Sequence, residues 1–279
     1  MPNGMVEYLY LKQLSKIMKS VLLLAMLLCL CTSVHAGDSF GFEAKTYSHG
    51  GQSLNYRILY PADFEPQKTY PLVLFLHGAG ERGDDNLAQL THGAELFARE
   101  DVRREYPAIV VFPQAPENDY WANVDVLRES QPYQLQFADI SAQPTDAMQL
   151  VLALTDVLSA EPFVDKQRVY VGGLSMGAMG TYEILARRPH LFAAAIAICG
   201  GGNVNNAAHY QKELHIWAFH GTEDKVVDAS LSEEMVAAIN QHGGNARLTL
   251  YKDTNHNSWD KAFAEPALLP WLFTQRLDE

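Results

Sequence analysis

The feature that most limits what this chain can fold into is its regular exchange of short apolar runs for longer helical ones. Tyr70–Leu76 and Ala108–Phe112 are short apolar runs that read as buried strands, and Arg168–Val171, Ala193–Ile198, Ile216–Phe219 and Ala246–Tyr251 read as strands as well. Between them lie segments of helical spacing: Asn86–Arg99, Thr145–Ala160, Met176–Arg188, Ser230–Gln241 and, at the end, Pro266–Arg276. Thr145 is placed to cap its helix, Pro189 follows the third, and Gly243-Gly244 end the fourth. Two further strands, Phe42–His49 and Leu54–Tyr60, flank a Gly50-Gly51 turn. An opening hairpin followed by alternating strands and helices predicts an α/β domain, with a mostly parallel central sheet and helices on both faces. In such sheets ligands bind beyond the C-terminal ends of the strands, so chemistry is expected in the loops that follow them. The longest of these, Pro113–Pro144, is polar and aromatic.

With 279 residues and no linker or repeat, the chain reads as one domain after an N-terminal signal. Lys12, Lys16 and Lys19 precede an apolar run from Val21 to Cys31, and Val34-His35-Ala36 then forms a small-residue cleavage site. That is the pattern of a secretory signal peptide cut after Ala36, which leaves a domain over residues 37–279; Met18 would serve equally well as the start. The apolar run is short for a membrane span, although an uncleaved anchor is the competing reading. Export to the periplasm or the medium is therefore expected. Loss of Glu7 and the three lysines leaves 32 acids against 18 bases, a formal charge of -14. Such a field repels polyphosphate backbones and argues against nucleic acid as a partner. Cys199 is then the lone cysteine, so no intrachain disulfide forms; its apolar surroundings suggest a buried, inert thiol.

Gly173-Leu174-Ser175-Met176-Gly177 fits G-x-S-x-G. The pentapeptide alone carries little, but it stands between a predicted strand and a predicted helix, where a nucleophile elbow must stand. A serine hydroxyl needs a base to act at neutral pH. Of ten histidines, His256 is chosen by position, because it lies directly after the last predicted strand. The acid that orients it should follow the strand Ile216–Phe219, where Asp224 is the best candidate and Glu223 and Asp228 remain open. Ser175, Asp224 and His256 follow the order Ser…Asp/Glu…His of strand-borne hydrolase triads. Acyl transfer also needs two donors for the developing oxyanion. The Met176 amide supplies one, and the loop His77–Gly83, through Ala79, the other. His77 and His220 each close a strand in a His-Gly pair and read as structural hydrogen-bonding residues. Arg82 with Asp84 and Asp85 reads as an ion cluster that fixes the loop. Trp121 and Trp259 are candidates for an apolar subsite, with ordinary packing as the alternative. No spacing of His, Cys or Glu suggests a metal site, and no motif suggests an organic cofactor.

His77–Asn86 (HGAGERGDDN), Gly172–Thr181 (GGLSMGAMGT), the H-G-x-x-D-x-x-V segment His220–Val227 and Asn255–Trp259 (NHNSW) together resemble the phospholipase/carboxylesterase and feruloyl-esterase-like branch of the α/β-hydrolase superfamily. That branch also holds peptidases of the prolyl-oligopeptidase type. The likeness runs from about residue 40 to residue 276. It implies a triad of Ser175, Asp224 and His256, and an oxyanion hole of Ala79 and Met176. The stretch Gly200–Leu214, where lipases of the superfamily carry large lids, is short here, so a fairly open site is expected. The activity implied is a carboxylesterase acting on small esters or on acetyl or feruloyl groups of extracellular polysaccharide. A peptidase with the same triad is the alternative, and a protein of this fold that only binds is a more distant one. Oligomeric state is not encoded in any of these motifs.

Overall fold

Alternation along the strand Tyr70–Leu76 explains how two cores share one sheet. Leu72, Leu74 and Leu76 project to one face, while Val73 and Phe75 project to the other, and all five are buried. In a computed structural model that describes residues 39–212 and 214–278, this strand (β3) lies inside an eight-stranded sheet. The other strands are β1 (Glu43–His49), β2 (Gln52–Leu59), β4 (Ile109–Gln114), β7 (Val164–Leu174), β8 (Ala194–Ile198), β9 (His215–Gly221) and β10 (Asn245–Tyr251). Their order is β1-β2-β4-β3-β7-β8-β9-β10. Strands β3, β4 and β7 to β10 are parallel, and β2 is antiparallel to both of its neighbours. The proposed signal, residues 1–36, lies outside the described residues.

Each face of the sheet carries its own helices. On one side α3 (Asp146–Ser159), α4 (Met176–Arg187) and α5 (Ser230–Gln241) bury Met148, Val151, Leu185 and Ile239 against the Leu72 face. On the other, α1 (Ala94–Ala98), α2 (Glu100–Glu105), α6 (Trp259–Phe263) and α7 (Leu268–Thr274) cover Phe75, Phe112 and Phe219 through Phe97, Val102, Ala262 and Leu268. Thr145 caps α3 as its sequence predicts: its backbone is extended, and its hydroxyl accepts from the Met148 amide at 3.1 Å.

Three predicted elements take another form. Asn86–Arg99 is not one helix but a 3-10 turn (Ala88–Leu90) and then α1. Gly93 between them sits at φ 84, where a helix cannot continue, and a Cβ there would lie 2.8 Å from the Phe263 ring. The terminal helix is shorter than Pro266–Arg276, and a separate helix, α6, precedes it. The long loop Pro113–Pro144 contains a hairpin of β5 (Val124–Leu127) and β6 (Gln134–Phe137). Val124, Leu135 and Phe137 seat that hairpin on Ala122, Met179 and Val227.

Candidate active site

The turn from β7 into α4 is forced into a shape that few residues accept. Ser175 sits between them at φ 52 and ψ -118, a region costly for any residue with a Cβ. Its amide donates to Ile198 O at 2.8 Å, and its carbonyl accepts from Ala178 and Met179. The flanking glycines make this passage possible. A Cβ on Gly177 would lie 1.9 Å from Leu76 O, and one on Gly173 would lie 2.4 Å from the Gly177 backbone. The helix thus crosses the end of β3 at a distance only glycine allows, and the strain holds the Ser175 hydroxyl out at the strand's C-terminal end.

His256 reaches that hydroxyl from the loop between β10 and α6. Its Nε2 is 2.9 Å from Ser175 Oγ, and its Nδ1 is 2.7 Å from Asp224 Oδ2. The Asp224 carboxylate is fully buried, whereas the His256 side chain is 18% exposed, so the array opens to solvent only at its serine end. Asp224 Oδ1 accepts from the amides of Val226 (2.8 Å) and Val227 (3.0 Å), and Oδ2 also meets His220 Nε2 at 3.1 Å. Burial by itself would raise this carboxyl. The bonds from His220 and His256, together with the amides, outweigh burial and hold it well below the ordinary carboxylate range. Asp224 is therefore ionised, and it fixes the His256 tautomer with hydrogen on Nδ1 and a free lone pair facing Ser175.

Of the three acids open from sequence, geometry selects Asp224. Glu223 is exposed, and Asp228 is spent on the Ser230 amide at the start of α5. The acid and base loops are also tied together. The Glu223 amide donates to Thr254 O, and Asn255 Oδ1 accepts from the amides of both Lys225 and His256. Asn255 is thus a loop fastener that its sequence position alone did not distinguish.

Ala79 and Met176 each begin a helical turn, Ala79–Glu81 and α4 respectively. The first amides of a helix have no carbonyl one turn behind them and remain free to donate. His77 anchors the Ala79 loop from below. Its Nε2 accepts from the Ala115 amide at 3.0 Å, and its Nδ1 donates to Gly78 O at 2.6 Å.

Two expectations need correction. Trp121 is no subsite wall: its exposure is 0%, its Nε1 donates to His77 O at 3.1 Å, and its Cβ presses on Gly180. It is a packing residue behind the Ala79 loop. Arg82 forms no ion cluster either. Its Nε donates to Ala79 O at 2.9 Å and its guanidinium covers the Tyr120 ring, while Asp85 accepts from the Leu87 and Ala88 amides and from Gln114. Trp259, by contrast, stands beside the site, half-buried, with its ring edge-on to His256 at 5.5 Å.

Cys199 lies fully buried beneath the array, where burial pushes its thiol far up and keeps it neutral. Its sulfur and the ligating atoms of Asp224 and His256 lie within 4.8 Å of one another, but the carboxylate and imidazole are already committed to each other. The whole arrangement has parts suited to acyl transfer: a strained, partly exposed hydroxyl, a base within hydrogen-bond reach, an ionised acid behind it, and amides at two helical starts.

Comparison with known proteins gives the family. The phospholipase/carboxylesterase family matches residues 64–266. A bifunctional acetylxylan esterase/xylanase from Neocallimastix patriciarum is 30% identical over 179 residues, which cover 64% of this chain and 22% of that protein. The crystal structure of a thermostable esterase is 34% identical with a TM-score of 0.75, covering 85% of this chain and 64% of that one. The chain therefore spans under a quarter of the first relative and just under two thirds of the second. A ferulic acid esterase shares the fold at 16% identity and a TM-score of 0.61, covering 83% of this chain and 97% of that one.

Proposed function

The chain belongs to the phospholipase/carboxylesterase family, and from that footing we propose that it is an exported serine carboxylesterase whose acyl-enzyme forms on Ser175. The observation that carries this reading is the unbroken relay from Ser175 Oγ through His256 to a buried, ionised Asp224. Ser175 attacks the ester carbonyl while His256 Nε2 takes its proton. Asp224 stabilises the imidazolium so formed without itself taking the proton. The amides of Met176 and Ala79 receive the oxyanion. His256 then protonates the departing alcohol and, after a water replaces it, activates that water against the acyl-enzyme. Attack by that water forms a second tetrahedral intermediate; its collapse breaks the bond to Ser175 Oγ, releases the carboxylic acid, and lets His256 return its proton to Ser175.

For the substrate we propose small esters, including acetyl or feruloyl groups carried on extracellular polysaccharide. Two points favour a bulky alcohol. Ser175 and His256 reach solvent, and the segment Gly200–Leu214, with its short 3-10 turn Val204–His209, is too small to roof them. The relative named as an acetylxylan esterase/xylanase favours the acetyl group. Trp259 is the proposed wall on the His256 side. Export rests on the sequence pattern of residues 1–36, with residues 37–279 as the mature domain.

Ser175→Ala should lower turnover of p-nitrophenyl acetate by about a millionfold, towards what binding and the oxyanion donors alone sustain. It should also end labelling by a fluorophosphonate probe. Turnover or labelling that survives the substitution refutes the nucleophile. Expressed with its leader in a secreting host, the protein should be recovered with Gly37 at its N-terminus; recovery of a chain that still begins at Met1 or Met18 refutes cleavage.

A further inference from the structure

His220 closes β9 four residues before Asp224 and is fully buried. Its Nε2 lies 3.1 Å from Asp224 Oδ2 and 3.0 Å from Val227 O. A carbonyl and an ionised carboxylate can only accept, so Nε2 carries a hydrogen and divides it between them. The far side of the ring is held as well: Nδ1 is 2.7 Å from the hydroxyl of buried Ser232, and that hydroxyl is 2.9 Å from Gly200 O. His220 therefore has one orientation available. His256 Nδ1 donates to the same carboxylate oxygen at 2.7 Å, while Oδ1 is held by the Val226 and Val227 amides. Two imidazoles thus draw on one oxygen, and two amides hold the other.

We infer that His220 is a positioning residue that tunes His256 through Asp224 Oδ2. By taking part of that oxygen's negative charge, its N–H weakens the pull on protonated His256 and leaves His256 free to act as a base at lower pH. The inference rests on reading Ser175, His256 and Asp224 as a triad. Few other groups bear on the exchange. Asp224 faces His220, His256 and the neutral Cys199 thiol. His256 faces Asp224, Ser175 and the Trp259 ring, and beyond that ring stand His92 and its neighbour Glu81. The Val226 and Val227 amides still hold Oδ1 when the ring is removed, although Val227 O then loses the His220 partner, so the carboxylate keeps its aim and the oxygen facing His256 becomes more negative.

The test compares pH profiles of kcat/KM on p-nitrophenyl acetate for the wild type, His220→Leu and His220→Gln. Leucine removes the donor; the glutamine amide can place an N–H near the position of Nε2. In His220→Leu the acid limb should move to higher pH by about half a unit to one unit, as expected when a hydrogen bond to a carboxylate's charged form is lost. Activity lost relative to wild type should then be about three- to tenfold greater near pH 6 than near pH 8. His220→Gln should return the limb to its wild-type place. A limb in folded His220→Leu that stays put or moves to lower pH overturns the inference, and so does a glutamine variant that behaves like leucine. Should neither variant fold, nitrogen-15 NMR of the wild type decides: a slowly exchanging hydrogen on His220 Nε2 supports the inference, and a ring protonated on Nδ1 alone overturns it. The triad reading fails separately, through turnover that does not depend on Ser175.

Discussion

His77 makes the stability of this fold depend on pH in a way that can be measured. Its ring is buried at the end of β3, and its Nε2 is occupied as acceptor of the Ala115 amide. A proton there would break that bond and place a charge in the core. Burial is the largest influence, and it lowers the imidazole from 6.5 to about 4; the bond to Gly78 O partly opposes it and the Arg82 charge adds to it. The folded value is depressed, so the contribution to stability is complete above the unfolded value of 6.5 and is lost as pH falls from there towards 4. Binding linkage with these two values gives a loss of roughly 1 kcal/mol by pH 5.5 and roughly 2 to 3 kcal/mol by pH 4.5, relative to pH 7.5. The measurement is urea unfolding followed by tryptophan fluorescence at those pH values, for the wild type and for His77→Gln. Glutamine can still accept from Ala115 but does not titrate. The wild-type curve should fall more steeply than the variant's by roughly these amounts, whatever the offset between them at pH 7.5 and whatever the other histidines add to both. Parallel curves would refute the reasoning, because they would mean that His77 takes up a proton in the folded protein as readily as in the unfolded chain.

Two further outcomes test the geometry around Ser175. Asp224→Asn should reduce kcat by about three to four orders of magnitude, because an amide cannot both accept from His256 and stabilise its charge; a loss below about tenfold would assign the acid elsewhere. Gly177→Ala would set a Cβ 1.9 Å from Leu76 O, so the elbow must shift. It should lower stability by more than about 3 kcal/mol in thermal or urea unfolding and remove activity with it; a variant that melts with the wild type would refute the close crossing.

The sheet was legible in sequence because its central strands are buried on both faces, and runs such as Tyr70–Leu76 and Ala193–Ile198 leave a polar alternative no room. The segment Asn86–Arg99 misled for the opposite reason. Its apolar spacing suits a helix, but the decisive constraint is tertiary: Phe263, distant in sequence, occupies the space beside Gly93 and holds that residue in a left-handed turn. The β5–β6 hairpin was hidden in the same way. Its strands are four residues each with alternate residues exposed, and they become strands because Met179 and Val227 offer them an apolar seat.

The site divides along the same line. Ser175 and His256 were identifiable because chain order and strand ends fix which loops meet, and the resemblance to hydrolase motifs added to that order. Choosing among Glu223, Asp224 and Asp228 requires knowing which carboxylate turns inward, and a sequence holds no such direction. Inward orientation is set by the two amides on Oδ1 and by His220, a residue whose His-Gly pair suggested a structural role without naming its partner. Trp121 shows the reverse error. Its place in a polar loop before the hairpin invited a ligand role, yet its indole N–H is spent on His77 O and its side chain packs on Gly180. Both cases have one physical cause. A buried polar group must find a partner, and the partner it finds decides whether the residue serves chemistry or structure. For His220 that partner is the acid of the proposed triad, so a residue with no access to solvent still bears on how strongly His256 holds a proton.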